Sequence, residues 1–457
     1  MSYDSDMALI DGMVKTVLGR KHLIESVSYK HSDNWQDVST PYDICGEMCD
    51  LVVGKADMYI VFFALEFLEV LIFEKGIDPK SIIFIGDFNI ECGLASKMYG
   101  AKVVTITKND VIKEGKFCKE PFIKLFTSEI DMKFNKVAVL MNPPYQIQSE
   151  AQQGREGGKA QAKPIYHTFI ETVIDSIKPE YMVSINPSRW MIGGMGLASF
   201  RERMMNDRHI KKIVHFAGEK EVFPTVSIKG GVNYFLWSKE YDGECEFVNG
   251  NTTTNRFLNT HDIILQDNNA FGILDKVMGK TSKYINQTCY GNKPFGIPTN
   301  YSKWDVNGIN CYTVGKKINK INTNAFTDKH YIIGKWKVCT SKATVEGSSF
   351  IGNVRSYFTS NSMFIIEPNA ICTETYIVVN AFDSKRDAEN FMAYMKTKFF
   401  RFMLGLRVLT QDINKEKFSW VPDVEDYSAP WTDAELYKKF NLTRQEVAYI
   451  ESKIKAI

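Results

Sequence analysis

The residues best suited to chemistry are four in a row, Asn142-Pro143-Pro144-Tyr145, directly after the apolar run Lys136-Val137-Ala138-Val139-Leu140-Met141. A short apolar run bounded by turn residues predicts a buried strand. The tetrapeptide then sits at a strand's C-terminal end, where open α/β sheets bind ligands. The prolines fix φ and remove two N–H donors, so carbonyl oxygens are left to face a ligand. Asn142 adds a side-chain carbonyl acceptor, and Tyr145 adds a ring face for stacking. Acceptors beside an aromatic face suit a planar group that bears an NH2. The alternative is an ordinary strand-ending turn.

The flanking sequence predicts the elements that must position these groups. Thr40-Pro41 opens a helix, with proline near the first turn as helices prefer. Strands are expected over 58–63, 81–85, 103–106, 136–141, 181–185, 210–216 and 232–237. Helices are expected over 65–74, 91–99 and 165–177. Strands alternating with helices imply parallel βαβ units and a doubly wound sheet of about seven strands, closing near residue 250. The polar stretch 146–163 reads as a mobile loop beside the pocket, and long loops of that kind often act as lids.

Composition narrows the class. A length of 457 residues allows two or three domains, and 44% hydrophobic with 24% charged residues describes a globular protein with a real core. A net charge of +2 is too small to argue for any partner, so a nucleic-acid surface must be a local patch. The nine cysteines are scattered without a CxxC pair, and no Cys/His set accompanies Cys45 and Cys49, so no metal site is expected. The acidic N-terminus lacks a signal core, and 58–73 is interrupted by Glu66 and Glu69 and too short for a membrane span. A soluble, cytoplasmic protein is expected.

From about 275 to 358 basic residues outnumber acidic ones roughly three to one, with Tyr301, Trp304, Tyr312, Tyr331, Trp336, Tyr357 and Phe358 interleaved. Such a mixture suits phosphate contact and base stacking. The competing reading is a small β core surrounded by solvated lysines. Helices are expected again over 385–402, 432–440 and 443–455.

With these motifs in place, the chain resembles the gamma-class N6-adenine DNA methyltransferases of bacterial and phage restriction–modification systems. Thr40-Pro41 looks like the family's leading motif, and Asn142-Pro143-Pro144-Tyr145 like its catalytic motif. Ser184 to Trp190 looks like the strand and loop that follow, and Glu221-Val222-Phe223-Pro224 like the segment offering a second aromatic to the flipped base. The stretches 371–376 and 394–400 look like the C-terminal half of a recognition region. One departure stands out: the glycine-rich cofactor loop is missing. Strand order puts its equivalent at 62–67, which keeps Phe63 and Glu66 but no glycine; a rival placement is 86–93.

The resemblance implies a Rossmann-like α/β methyltransferase sheet with a C-terminal mixed α+β target-recognition region. The expected division is a helical cap over 1–37, a catalytic domain over 38–250 and recognition over 251–457. It implies S-adenosylmethionine as cofactor, held by Thr40, Pro41, Phe63, Glu66, Asp87, Asp110 and Asn142. It also implies methyl transfer to the N6 of an adenine flipped out of double-stranded DNA. The Asn142 side-chain oxygen and the Pro143 carbonyl would take the two amino hydrogens, with Tyr145 and Phe223 stacking on opposite faces of the base. Lys335, Lys337 and Arg355 are the expected DNA contacts, and any restriction endonuclease would be a separate polypeptide. Asp87 and Asp110 have a plainer reading as helix-capping or turn acids. RNA or protein-glutamine methylation, or a non-catalytic DNA-binding role, are the alternatives for the whole chain.

Overall fold

Met58–Phe62 (β1) is a run of large apolar and β-branched residues, buried at every position. A strand buried on both faces belongs in the middle of a parallel sheet. β1 pairs in parallel with Ile82–Gly86 (β2) on one side and Val137–Met141 (β4) on the other. Lys102–Thr105 (β3) lies outside β2, and Tyr181–Pro187 (β5) lies outside β4, both parallel. Ile210–Phe216 (β6) and Val232–Ser238 (β7) form an antiparallel pair, with β7 inserted antiparallel beside β5. Cys245–Asn249 (β8) and Thr252–Arg256 (β9) complete the edge, giving the order β9-β8-β6-β7-β5-β4-β1-β2-β3.

The computed structural model describes residues 39–86, 89–113, 116–129, 136–148, 162–218, 220–224, 226, 228, 230–291, 293–342, 362–408 and 413–457. The expected cap over 1–37 and most of the 146–163 loop lie outside these residues. Of that loop, the ends are paired, Gln146–Gln148 against Ala162–Pro164. The chain divides into two compact units at Asn268 and Asn269.

In the first unit the seven expected strands are present, in the arrangement of a doubly wound, Rossmann-like sheet. The sheet runs further than expected because β8 and β9 extend it to nine strands. They form a hairpin that turns at Gly250, where φ is +54°, and their partly exposed, polar alternation carries no apolar run to mark them. Helices Tyr42–Asp50 (α1), Glu66–Glu69 (α2), Asn89–Tyr99 (α3), Lys119–Glu129 (α4), Tyr166–Thr172 (α5) and Ala198–Asn206 (α6) complete the unit. Strand order reverses between β1 and β4: the chain first builds outward to β3, then returns to the other side of β1. The C-terminal ends of β1 and β4 thus flank the switch point, where such sheets bind ligands.

The second unit opens with helix Phe271–Met278 (α7) and holds two three-stranded sheets. In one, Ile309–Tyr312 (β10) lies between Ile318–Ile321 (β11) and Ala370–Cys372 (β14). In the other, Trp336–Ser341 (β12) lies between Met363–Ile366 (β13) and Tyr376–Phe382 (β15). Phe295, Ile297, Cys311, Ile332, Cys339 and Ile371 are among its core, and Tyr301 and Tyr312 pack against that core. The small-β-core reading therefore accounts for part of the aromatic content of 275–358, while Trp304 and Tyr331 stay exposed.

The helix expected over 385–402 is two helices, Lys385–Lys396 (α8) and Lys398–Gly405 (α9). Thr397 takes an extended conformation between them, and its hydroxyl accepts from the Phe400 amide, capping α9. A threonine that can bond backbone three residues on is a helix start as readily as a helix interior. Asp433–Lys439 (α10) and Arg444–Lys453 (α11) each begin with a Thr/Glu capping box.

Candidate active site

Asn142 leaves β4 with its backbone and its side chain both fixed. Its amide N–H donates to the Phe62 carbonyl at the end of β1 (3.2 Å). Its side-chain Nδ2 donates to Thr40 Oγ1 at 3.0 Å, and both residues are buried. That bond commits the nitrogen edge of the carboxamide to Thr40 and turns the oxygen edge away from it. The Pro41 carbonyl accepts the Cys45 amide (3.0 Å), so Thr40-Pro41 is held as the lead-in to α1. Two motifs 102 residues apart thereby meet at the switch point.

Ser39 reaches the same place from the other side. Its hydroxyl bonds the Glu66 carboxyl in the first turn of α2. Burial pushes the Glu66 carboxyl up to about 7; the Glu66 amide and the Ser39 hydroxyl lower it, and the Glu69 carboxyl raises it. Between β1 and α2, Phe63 adopts φ +59°. Left-handed backbone is where glycine is at ease and where a bulky side chain costs about 1–2 kcal/mol. The Phe63 ring lies edge-on to Phe169 at 5.7 Å, and Phe117 and Phe122 extend the group. Aromatic packing thus holds the turn in a shape the missing glycine would adopt freely.

Tyr145 is buried, its ring edge-on to Phe223 at 6.1 Å and to Tyr166 at 6.4 Å. Its carbonyl accepts from the Ile165 amide at 3.1 Å, tying the motif to the start of α5. Tyr166 and Phe169 are core residues of α5, and His167 packs against Phe200 at 5.7 Å.

Other expected site residues fall elsewhere. Asp87 lies outside the described residues, as does Arg355. Asp110 is exposed and accepts from the Thr107 amide (2.7 Å) and hydroxyl (2.8 Å), which is the turn role its position allowed. Lys335 is half-buried and paired with Asp383 at 3.3 Å.

Lys337 requires a correction. It is wholly buried, and its ammonium donates to the carbonyls of Lys335 (2.7 Å), Ile333 (3.1 Å), Glu367 (3.1 Å) and Ile332 (3.4 Å). Desolvation lowers its pKa to about 8. A cation caged by four carbonyls is a structural cross-link, out of reach of a phosphate. Between residues 303 and 331 the exposed lysines are Lys303, Lys317, Lys320 and Lys329. Sequence reasoning passed over them because no pattern separates one lysine from another on turn-rich segments.

Residues 82–223, from the start of β2 to Phe223, match the family model of the Eco57I restriction-modification methylase. That segment, under a third of the chain, is similar to restriction-modification methylases. A protein of Mycoplasma pneumoniae described as an uncharacterized adenine-specific methylase is 35% identical over 114 residues, a stretch that is 25% of this chain and 25% of that relative. The alignment thus spans a quarter of the curated relative. Among solved structures, the type IIG restriction endonuclease BpuSI aligns with 96% of this chain and 63% of its own, at 12% identity and a TM-score of 0.43. The type IIL restriction-modification enzyme MmeI, solved in complex with DNA, aligns with 97% and 75%, at 9% identity and a TM-score of 0.42. No described helix is long and apolar enough to cross a membrane, and among the described residues no group of three His, Cys, Asp or Glu is placed to hold a metal.

Proposed function

We propose that the protein is a site-specific DNA adenine-N6 methyltransferase of a restriction–modification or phage DNA-protection system. The observation that carries this reading is Asn142, fixed by Phe62 and Thr40 at the switch point with the buried Tyr145 ring three residues on. An amino nitrogen whose lone pair is delocalised into a purine ring is a poor nucleophile. Acceptors on both of its hydrogens draw it toward a tetrahedral shape and localise the lone pair. The Asn142 side-chain oxygen and the Pro143 carbonyl are the acceptors, and their rigidity means that little reorganisation accompanies the reaction. Tyr145 and Phe223 hold the plane of the base.

S-adenosylmethionine, when bound, supplies the methyl group on a positively charged sulfur. The residues fit such a group. Glu66 is a buried carboxyl that the neighbouring Glu69 carboxylate also disfavours as an anion, so a cationic ligand would relieve it. Thr40, Pro41, Phe63, Glu66 and Asn142 lie about the switch point and would hold the cofactor, with Asp87 and Asp110, which follow β2 and β3 in the sequence, as further candidates. Lys303, Lys317, Lys320 and Lys329, with Trp304 and Tyr331, are the proposed duplex contacts of the second unit, and Lys335 and Arg355 remain candidates there.

The test is transfer of labelled methyl from S-adenosylmethionine to duplex DNA, with N6-methyladenine identified in the digest. The wild-type protein is expected to transfer it and Asn142→Ala to lose at least two orders of magnitude of rate. Absence of transfer to every genomic DNA tried would sink the proposal. The glycine-free turn at Phe63 favours one other reading, a DNA-binding protein that retains the fold without catalysis. Calorimetry separates the two, since that reading requires that S-adenosylmethionine not bind.

A further inference from the structure

The loop that carries Phe223 is the connection of a long hairpin, residues 217–231 between β6 and β7. Its base is closed by the pairs Phe216↔Val232 and His215↔Asn233. Asn233 also pairs with Asn186 on β5. His215, Asn233 and Asn186 therefore form a transverse row on one face of the sheet, each side chain 0–1% exposed. Such a row of polar groups in an apolar sheet is costly unless it is bonded.

Ser188, just past the end of β5, supplies bonds to two of the three, His215 and Asn233. Its Oγ lies 2.9 Å from His215 Nδ1 and 3.1 Å from Asn233 Nδ2, and Asn233 Nδ2 also reaches the Asn186 carbonyl at 3.1 Å. Asn233 Nδ2 donates to Ser188 Oγ, and Ser188 Oγ shares a hydrogen with His215 Nδ1. The backbone repeats the connection, because the Ser188 amide donates to the Gly231 carbonyl at 2.9 Å. Gly231 has φ +79°, and a Cβ there would lie 2.2 Å from the Phe216 carbonyl oxygen. Only glycine lets the returning strand approach this closely. Both legs of the hairpin are thus fastened to one residue just past the end of β5. β5 is the strand beside β4, with Ser184 level with Met141.

We propose that Ser188, with His215 and Asn233, is a buried latch that sets the loop's root and so the placement of Phe223 against Tyr145. Ser188 is a positioning residue: it touches neither base nor cofactor. This rests on the reading of Phe223 as a wall of the target-base slot, and two independent measurements keep the latch and that reading apart.

The first measurement is hydrogen exchange on the full-length protein without DNA. Ser188→Ala is expected to speed amide exchange in 217–231 by about tenfold, the loss of one to two net hydrogen bonds, while β1 to β3 are unchanged. Ser188→Thr, which keeps the hydroxyl, is expected to restore protection. Unchanged exchange in the alanine variant overturns the latch, whatever the protein's activity. The second is 2-aminopurine fluorescence at the methylated position of a duplex carrying the protein's mapped site. The alanine variant is expected to lower the flipped-base signal and kcat together, by about tenfold, with S-adenosylmethionine affinity kept. Faster loop exchange with unaltered fluorescence and kcat overturns the positioning role and leaves Ser188 purely structural. If the wild-type protein methylates no DNA, the functional reading fails and the exchange result still decides the latch.

Discussion

At the exit of β1, burial and the Glu69 carboxylate outweigh the bonds from the Ser39 hydroxyl and the Glu66 amide and hold the Glu66 carboxyl near pH 7. Between the ordinary carboxylate range and pH 7 the folded protein keeps a proton that the unfolded chain has released. The group's contribution to stability is therefore full below that range and is lost as pH rises through about 7, a loss of about 3 kcal/mol at most. Glu66→Gln is expected to remove that fall, read as a variant urea midpoint that climbs relative to the wild type's from about pH 5 to 7 and keeps a constant offset above it. Cys45 and Tyr99 face the same carboxyl, but burial holds both of them protonated across this window. A cationic cofactor reverses the preference. Affinity for S-adenosylmethionine is expected to rise with pH up to about 7 and then level off, with calorimetry in paired buffers detecting a released proton. Lys337 gives a second residue-scale expectation. Lys337→Met leaves four carbonyls without their donor and should cost about 2–4 kcal/mol, with the salt slope of DNA binding unaltered. Lys317→Ala or Lys320→Ala should lower that slope by about 1 instead.

Among the elements, the strands were the most legible part of the chain. β1, β2 and β4 are continuous apolar runs because both faces of a parallel sheet are covered, and with β3 they place three strands before the one that runs into Asn142. That count selects the turn after β1, rather than the one after β2, as the equivalent of the glycine loop, and β1 is indeed the strand at the switch point. What could not be read was how that turn survives without glycine. The answer is tertiary: Phe63 is supported by Phe169, a ring more than one hundred residues away. The Thr40–Asn142 bond is hidden for the same reason, as is the cage around Lys337, since sequence spacing records local neighbours only. Ser188 stood within a recognised motif, yet nothing in the sequence marked His215 or Asn233 as its partners. The break at Thr397 was readable in hindsight from a threonine preceding a helical run. Thr397→Ala is expected to lower stability by about 1 kcal/mol through loss of the α9 cap, measured as a shift in denaturation midpoint.

On the scale of the whole molecule, the chain assigns different chemistry to different units. The switch point, the Asn142 motif and the Phe223 loop all lie before Asn268, while the exposed lysines and aromatics of 303–331 lie after it. The sequence placed that division near 250 because the β8–β9 hairpin carries no apolar signature. A chain ending at Asn268 is expected to retain S-adenosylmethionine binding by calorimetry and to lose DNA affinity by at least tenfold, the contribution of the lysine-bearing unit.

The edge-on contact between Tyr145 and Phe223 also bears on the chemistry of the cell. Two rings that sandwich a purine stand about 7 Å apart and parallel, twice an ordinary carbon contact, whereas these are 6.1 Å apart and inclined at 63°. On the proposed reading of Phe223, the slot is closed by its own walls. Living cells hold free adenine nucleotides in large excess over any one DNA site, and every one carries the same amino group as the target. A slot that must be parted before it can be filled turns those nucleotides away, because a small molecule brings too little binding energy to separate the rings. A duplex gripped along its backbone brings enough. Adenosine and AMP at millimolar levels are therefore expected to leave the methylation rate unchanged, and Phe223→Ala to make the enzyme sensitive to them.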